Sequence, residues 1–223
     1  MNEIVRSTYK KSILKIQNVW FANEGDIPKI LNQSKKMGVD VLNIHGVRFS
    51  RKPEKWNEQY TIVSDLNETE EEMLSKIRKN YRYEIRRTEK EGVVIRQYDG
   101  REFADKKVLL DTFEETYNQM YRDKGMKTVF NRAQVEEYLR TNCMLVTIGF
   151  FDETPYVFHS YIYNKNNARF YYSTSSFRSD KDIAALIGRI NKATHWHDMK
   201  MFKKMGVTNY DWGVYLIKMP LMA

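Results

Sequence analysis

Residues 67–92, NETEEEMLSKIRKNYRYEIRRTEKEG, decide how the rest of the chain is read, because end chemistry, periodicity and charge all point to one helix. Asn67 and Glu70 have capping-box spacing, and Glu68, Glu70, Glu71 and Glu72 sit where the positive end of a helix dipole favours carboxylates. Gly92 supplies the stop. At about 100° per residue, Leu74, Ile77, Tyr81, Ile85 and Thr88 share one side, with Lys79, Arg82, Arg86 and Lys90 opposite. The stretch therefore predicts a single helix with one face for a core and one for anions. An ordinary exposed helix mixes charge signs at i,i+4, yet between Lys76 and Arg87 the sole acid is Glu84. Guanidinium forks suit phosphates and carboxylates, so Lys79, Arg82, Arg86 and Arg87 are candidate substrate-binding residues; a merely solvated face is the competing reading.

Working outward, YTIVSD at 60–65 reads as a strand running into that helix. Upstream, 12–21 (SILKIQNVWF) reads as a strand, Asp26 caps a helix with Pro28 in its first turn and Gly38 as its stop, and 39–44 is a second strand. Residues 45–55 carry Arg48, Arg51, Lys52 and Lys55 without periodicity, as a basic loop does. Downstream, 93–98 is a short strand, 102–124 a long helix with Phe103, Leu109, Phe113, Tyr117 and Met120 on its stripe, and Asn131 with Gln134 opens a shorter helix. Segments 144–151, 156–163 and 169–174 read as an antiparallel meander. A helix over 182–205 places Ile183, Ile187, Ile190, Thr194, His197 and Met201 on one side, and 208–213 is a last strand. The fold class is mixed α/β (α+β), a largely antiparallel sheet flanked by helices. An N-terminal strand-helix-strand part, 1–59, precedes a core over 60–223.

The formal charge of +8 favours anionic partners: nucleic acid, coenzyme phosphates or, peripherally, an anionic membrane. Cys143 is the single cysteine, which excludes an intramolecular disulfide and any multi-thiolate metal site, and its apolar neighbours suggest a buried thiol. No apolar run approaches the length of a membrane span and MNEIVRSTYKK lacks a signal-peptide core, so the expected location is the cytoplasm. His195 and His197 are two apart on one helix, with His45 and His159 far off in sequence, so no metal is expected.

Two stretches carry a resemblance. YTIVSDLNETEEEMLSKIRKNYRYEIRRTEKEGV resembles the segment of FemABX-type transferases in which a strand ending in Asp leads to a helix with an Arg-x-x-Ile-Arg-Arg core. RFYYSTSSFRSDKDIAALIGRINKATHWHDMKMFKKMGVTNYDWG resembles that family's closing block: a Tyr-rich strand, a helix with Asn-Lys and His-Trp, and a Tyr-Asp-aromatic-Gly strand. The resemblance implies a GNAT-like acyltransferase fold of the short, FemAB-like class. It further implies transfer of an acyl or aminoacyl group to an amine of a cell-envelope precursor, peptidoglycan or polysaccharide, nucleotide- or lipid-linked. The donor would be aminoacyl-tRNA or acyl-coenzyme A, with no tightly bound cofactor. Where a coenzyme A pyrophosphate loop would lie, before Asp182, the chain has Ser173, Ser175, Ser176, Arg178 and Ser179 in place of glycines, which tilts the expectation towards aminoacyl-tRNA. The C-terminal VYLIKMPLMA departs from the family's ending, which predicts an atypical or truncated last segment.

Acyl transfer to an amine needs a proton acceptor and a polarised carbonyl. Asp65, matching the strand-terminal Asp, and Asp211, between Tyr210 and Trp212, are the candidate acids, with Tyr172 at the oxyanion. His195 and Trp196 match the His-Trp pair and are candidate substrate contacts. The rival class is a non-catalytic RNA- or nucleotide-binding or degenerate module, since basic charge interleaved with tyrosines also suits RNA.

Overall fold

The computed structural model describes residues 3–51, 57–178 and 182–215, so the expectations for Lys52, Lys55, Ser179 and the segment after Tyr215 lie outside the described residues. At the N-terminus, a hairpin stands where one strand was expected. β1 (Val5–Lys11) pairs antiparallel with β2 (Leu14–Trp20), and Ser12 makes the turn at φ +56°. Its VRSTYKK pattern hid β1, because one of its two buried positions is Ser7 rather than an apolar residue. A 3₁₀ turn and helix α1 (Ile27–Lys36) then cross to β3 (Val41–His45), parallel to β2, which is the expected strand-helix-strand unit.

A second sheet has six strands. They are β4 (Tyr60–Asp65), β5 (Val94–Tyr98), β6 (Met144–Phe151), β7 (Thr154–Tyr163), β8 (Asn167–Ser175) and β9 (Asn209–Tyr215), in the order β4-β9-β8-β7-β6-β5. The expected meander is β6-β7-β8; every pairing in this sheet is antiparallel except β8 with β9.

Two long helices of the sequence reading are each two helices. The first is α2 (Glu70–Ser75) and α3 (Lys79–Lys90), with Arg78 extended between them at φ −55°, ψ 141°. The capping box belongs to Thr69 and Glu72, not to Asn67 and Glu70: Thr69 Oγ1 accepts from Glu72 N at 3.1 Å, and Glu72 Oε2 from Thr69 N at 2.7 Å. Neither Gly nor Pro marks the break. It is a tertiary effect: Met73 of α2 and Ile85 of α3 enter one cluster with Leu66 and Trp196, and Arg82 Nη1 donates to the carbonyls of Leu74 (3.2 Å) and Ser75 (3.1 Å) in the last turn of α2. Likewise 102–124 divides into α4 (Gly100–Ala104), capped by Asp99, and α5 (Lys107–Asp123), with Lys106 non-helical between them. Helix α6 (Arg132–Arg140) starts at Asn131, whose side-chain carbonyl accepts from Gln134 N as the spacing predicted.

The sheet's two faces alternate along β6 and β7. Met144, Val146, Ile148, Phe158 and Ile162 enter a core with Phe113 and Tyr138 of α5 and α6. Val5 and Trp20 join it, and Trp20 Nε1 donates to Tyr138 Oη at 2.7 Å, so this core runs across the 59/60 boundary. On the other face Leu145, Tyr161 and Tyr163 meet α7 (Ala184–Lys204). Helix α7 lies between sheet and α3, so burial goes beyond the single stripe expected and includes His195, Trp196 and Asp198. Glu91, the C-cap of α3, pairs with Arg189 of α7 at 2.7 Å, and Glu84 of α3 with Lys192 of α7.

Candidate active site

Strands β8 and β9 pair only from Asn167↔Asn209 to Arg169↔Asp211, then part. The cause is a bulge. Phe170 faces Tyr161 and Ser173 faces His159, so Tyr171 and Tyr172 together oppose Ser160 alone. The Ser160 hydroxyl closes that bulge, donating to Tyr172 O (3.1 Å) and accepting from Tyr172 N (3.0 Å). Past the Arg169↔Asp211 rung β8 and β9 are no longer hydrogen-bonded to each other, a fork in the pairing inside the sheet, although Gly213 stays close to the Phe170 carbonyl. On the β9 side Gly213 takes φ +93°, a region costly for other residues, and its nitrogen donates to Asp211 Oδ1 at 2.9 Å. Asp211 Oδ2 accepts from Arg169 Nη1 at 2.5 Å, and the Thr61 hydroxyl is shared between Asp211 and the Gly213 carbonyl.

Beneath the fork on the α7 face lies a buried polar chain. The His195 ring sits 5.0 Å from Phe170 and 4.8 Å from Trp212, the first residues past the last paired rung. Its Nδ1 is 2.9 Å from Tyr210 Oη, Tyr210 Oη is 2.6 Å from Tyr161 Oη, and Tyr161 donates to Asp198 Oδ2 at 2.6 Å. His159 closes the network, with Nδ1 2.9 Å from the same carboxylate oxygen and Nε2 2.9 Å from Asn191 Oδ1. Burial opposes the Asp198 charge, but hydrogen bonding from His159 and Tyr161, with His197 nearby, outweighs it and holds the acid well below the usual carboxylate range. Burial, then the Asp198 charge, pushes the Tyr161 and Tyr210 hydroxyls well up, so both keep their protons. Burial and the adjacent His159 hold His195 well below the ordinary histidine range, so it is a neutral imidazole near pH 7.

In sequence His159 is far from His195; the fold brings the two ring centres to 4.2 Å, tilted at 39°. His159, His195 and Asp198 offer ligand atoms within 4.8 Å of one another, a metal-like grouping. Both His159 nitrogens, the facing Asp198 oxygen and His195 Nδ1 are already engaged, however, so a hydrogen-bonded network accounts for the cluster better. Asp198 was missed altogether. Its signal was an acid three residues after His195, beside Trp196 and Met199 on the helix.

The sequence-derived candidates fall in separate places. Arg82, Arg86 and Trp196 meet in a groove of 390 Å³ between α2, α3 and α7, but Glu70, Glu71 and Glu89 line it too, so its charge is mixed. Arg87 is paired with Glu91 at 2.7 Å, and Lys79 is exposed at the start of α3. Asp65 accepts from Asn67 N and Nδ2, both at 2.9 Å, in the turn before α2. Tyr172 packs among Tyr117 (4.8 Å) and Phe130 (5.2 Å) in the α5 core. No hydrogen bond joins Asp65, Asp211 and Tyr172 to one another among the described residues. Cys143 is half-buried, and burial raises its thiol pKa.

On the opposite side, His45 stacks on Trp20 with ring centres 4.0 Å apart and is drawn down to about pKa 4 by burial and by Arg169. Between about pH 6.5 and 4 the unfolded chain binds this proton and the native chain does not, so stability falls as pH drops through that window. His45→Phe, which keeps a ring on Trp20, is expected to flatten the urea-midpoint profile over that range, by on the order of 2–3 kcal/mol.

Sheet order, the forked parallel pair and the flanking helices define a GNAT-like fold. No protein-family model matches the sequence, and no curated protein matches it either. Among solved structures it is similar to FemX, with TM-score 0.61 and 10% identity over 97% of this chain and 76% of that one. It is also similar to the C-terminal domain of a putative lysylphosphatidylglycerol synthetase from Agrobacterium fabrum, with TM-score 0.57 and 12% identity over 95% and 68%. L-PGS from Bacillus licheniformis gives TM-score 0.51 and 14% identity over 99% and 69%. At such identities the likeness establishes the shared fold alone. No helix among the described residues is long and apolar enough to cross a membrane.

Proposed function

We propose that this protein transfers an acyl or aminoacyl group onto an amine of a cell-envelope precursor, with aminoacyl-tRNA or acyl-coenzyme A as donor. The observation that carries this is the fork between β8 and β9, closed beneath by His195, Phe170 and Trp212. A strand edge left unpaired inside a sheet offers backbone N–H and C=O groups to an extended acyl donor, and apolar walls exclude water from the reacting carbonyl. The amine attacks the donor ester or thioester directly, with no covalent enzyme intermediate. Arg86 and Lys79, exposed on α3, attract the phosphates of donor or acceptor, while Arg82 is partly committed to capping α2. The resemblance in sequence and the fold shared with FemX and L-PGS support the reading.

The test offers purified protein radiolabelled aminoacyl-tRNA pools and labelled acetyl-coenzyme A in parallel, each with envelope precursor extract. Label moving from either donor into precursor is the expected result, and the arm that works names the donor. If neither arm transfers label while the protein binds tRNA with a steep salt dependence, the chain is a binding module and the proposal fails.

A further inference from the structure

The hydrogen-bond chain beneath the fork has a direction. An ionised carboxylate only accepts, so the Tyr161 hydroxyl hydrogen points to Asp198 Oδ2, 2.6 Å away. A hydroxyl has one hydrogen to give. At the 2.6 Å contact between the tyrosines Tyr210 is therefore the donor, and with that hydrogen committed its oxygen accepts from His195 Nδ1 at 2.9 Å. His195 thus carries its hydrogen on Nδ1, leaving the lone pair on Nε2. That nitrogen makes no hydrogen bond among the described residues. His195 keeps 9% of its surface exposed, whereas His159, Asp198, Tyr161 and Tyr210 keep none, so in this cluster exposed surface belongs to His195 alone.

We propose that His195 is the general base of the transfer, presenting Nε2 to the acceptor amine at the fork, and that Asp198, Tyr161 and Tyr210 are positioning residues that hold this tautomer. The proposal rests on the acyl-transfer reading. The amine nitrogen forms a bond to the donor carbonyl carbon and its proton passes to Nε2. The C–O bond of an ester or the C–S bond of a thioester then breaks, and the departing oxygen or sulfur takes that proton from His195. The groups facing His195 are His159 and Tyr161 from β7, Phe170 from β8, Asp198 from its own helix, and Tyr210 and Trp212 from β9. None of them offers a second base to the fork: Asp198 and His159 are closed off, and the tyrosines hold their protons.

Two readouts on the full chain test this. Nitrogen-15 NMR of histidine-labelled protein, with the His195 signals identified by their loss in His195→Gln, should show a protonated Nδ1 and a bare Nε2. Tyr210→Phe removes the acceptor and should release the ring to a mixture of tautomers. Finding the hydrogen on Nε2 in the unaltered protein, or an unchanged tautomer in folded Tyr210→Phe, overturns the relay. With whichever donor transfers label, His195→Gln should lower kcat about 10²-fold at unchanged KM, and Tyr210→Phe by a smaller factor. Full activity in folded His195→Gln overturns the base assignment. Absence of transfer by the unaltered protein, with the NMR result as expected, overturns the acyl-transfer reading and the base role with it, and leaves the tautomer relay standing.

Discussion

Asp198→Ala is expected to lower the stability of the fold by about 3–5 kcal/mol, the usual cost of removing one partner from a buried charged network. The carboxylate is fully buried, and Tyr161 and His159 direct their hydrogens at one of its oxygens. Without it both donors are stranded out of reach of water, each with a desolvation penalty of about 1–3 kcal/mol. For a chain of this length the loss corresponds to about 6–20 °C in Tm, read by calorimetry or by the urea midpoint. Asp198→Asn keeps the shape and one accepting oxygen and should lose less. The pH dependence supplies a second check. The native carboxyl titrates below its unfolded value of about 4, so its contribution is fully present above that pH and is lost as pH falls further. Asp198→Asn should lack that acid-side loss. An alanine variant melting within a degree or two of the unaltered protein would show that Asp198 does not organise the cluster.

Gly149→Val should be nearly as damaging, for a steric reason. Gly149 lies in β6 where α7 crosses the sheet, and a Cβ there would stand 2.3 Å from Ile190 Cγ2 and 3.0 Å from Thr194 Oγ1. Ile190 is fully buried and branched at Cβ, so its methyl cannot swing aside cheaply. Overpacking of this kind costs about 1–3 kcal/mol for Ala, and more for Val with its two extra methyls. Because α7 also carries His195 and Asp198, lifting it from the sheet should reduce transfer activity in molecules that are still folded. Ile190→Ala in the Gly149→Ala background should return part of the loss, a non-additivity expected of residues sharing one space. Strictly additive destabilisation would mean the helix does not approach the sheet as closely as the structure places it.

Several elements are legible in the amino-acid sequence because their signals are local. The strand over Tyr60–Asp65, the meander, the Asn131 cap and the stop at Gly92 each follow from turn chemistry or from a period of two or 3.6 residues. Glycine at φ +77° ends α3 whatever packs around it. The apolar stripe of 67–92 also holds as a stripe: Ile85 and Thr88 are buried, and Arg86 and Lys90 are exposed. The class of fold follows from these pieces and from the two stretches resembling a transferase family.

What the chain could not disclose by itself depends on residues distant in sequence. The breaks at 76–78 and 105–106 carry no Gly or Pro, and arise because helix segments gain more by packing separately than by remaining continuous. β1 stays hidden because Ser7 takes an inward position that periodicity assigns to an apolar residue. The polar chain is the clearest case. His159, Tyr161, His195, Asp198 and Tyr210 come from two strands and a helix, and of the five only His195 is singled out by the sequence, as a substrate contact. Local sequence determined the elements and their faces, because dihedral preference and amphipathic period act within a few residues. The tertiary structure alone decided which polar groups share a buried space, because the cost of an unpaired buried polar group is settled only by the neighbours the fold brings to it.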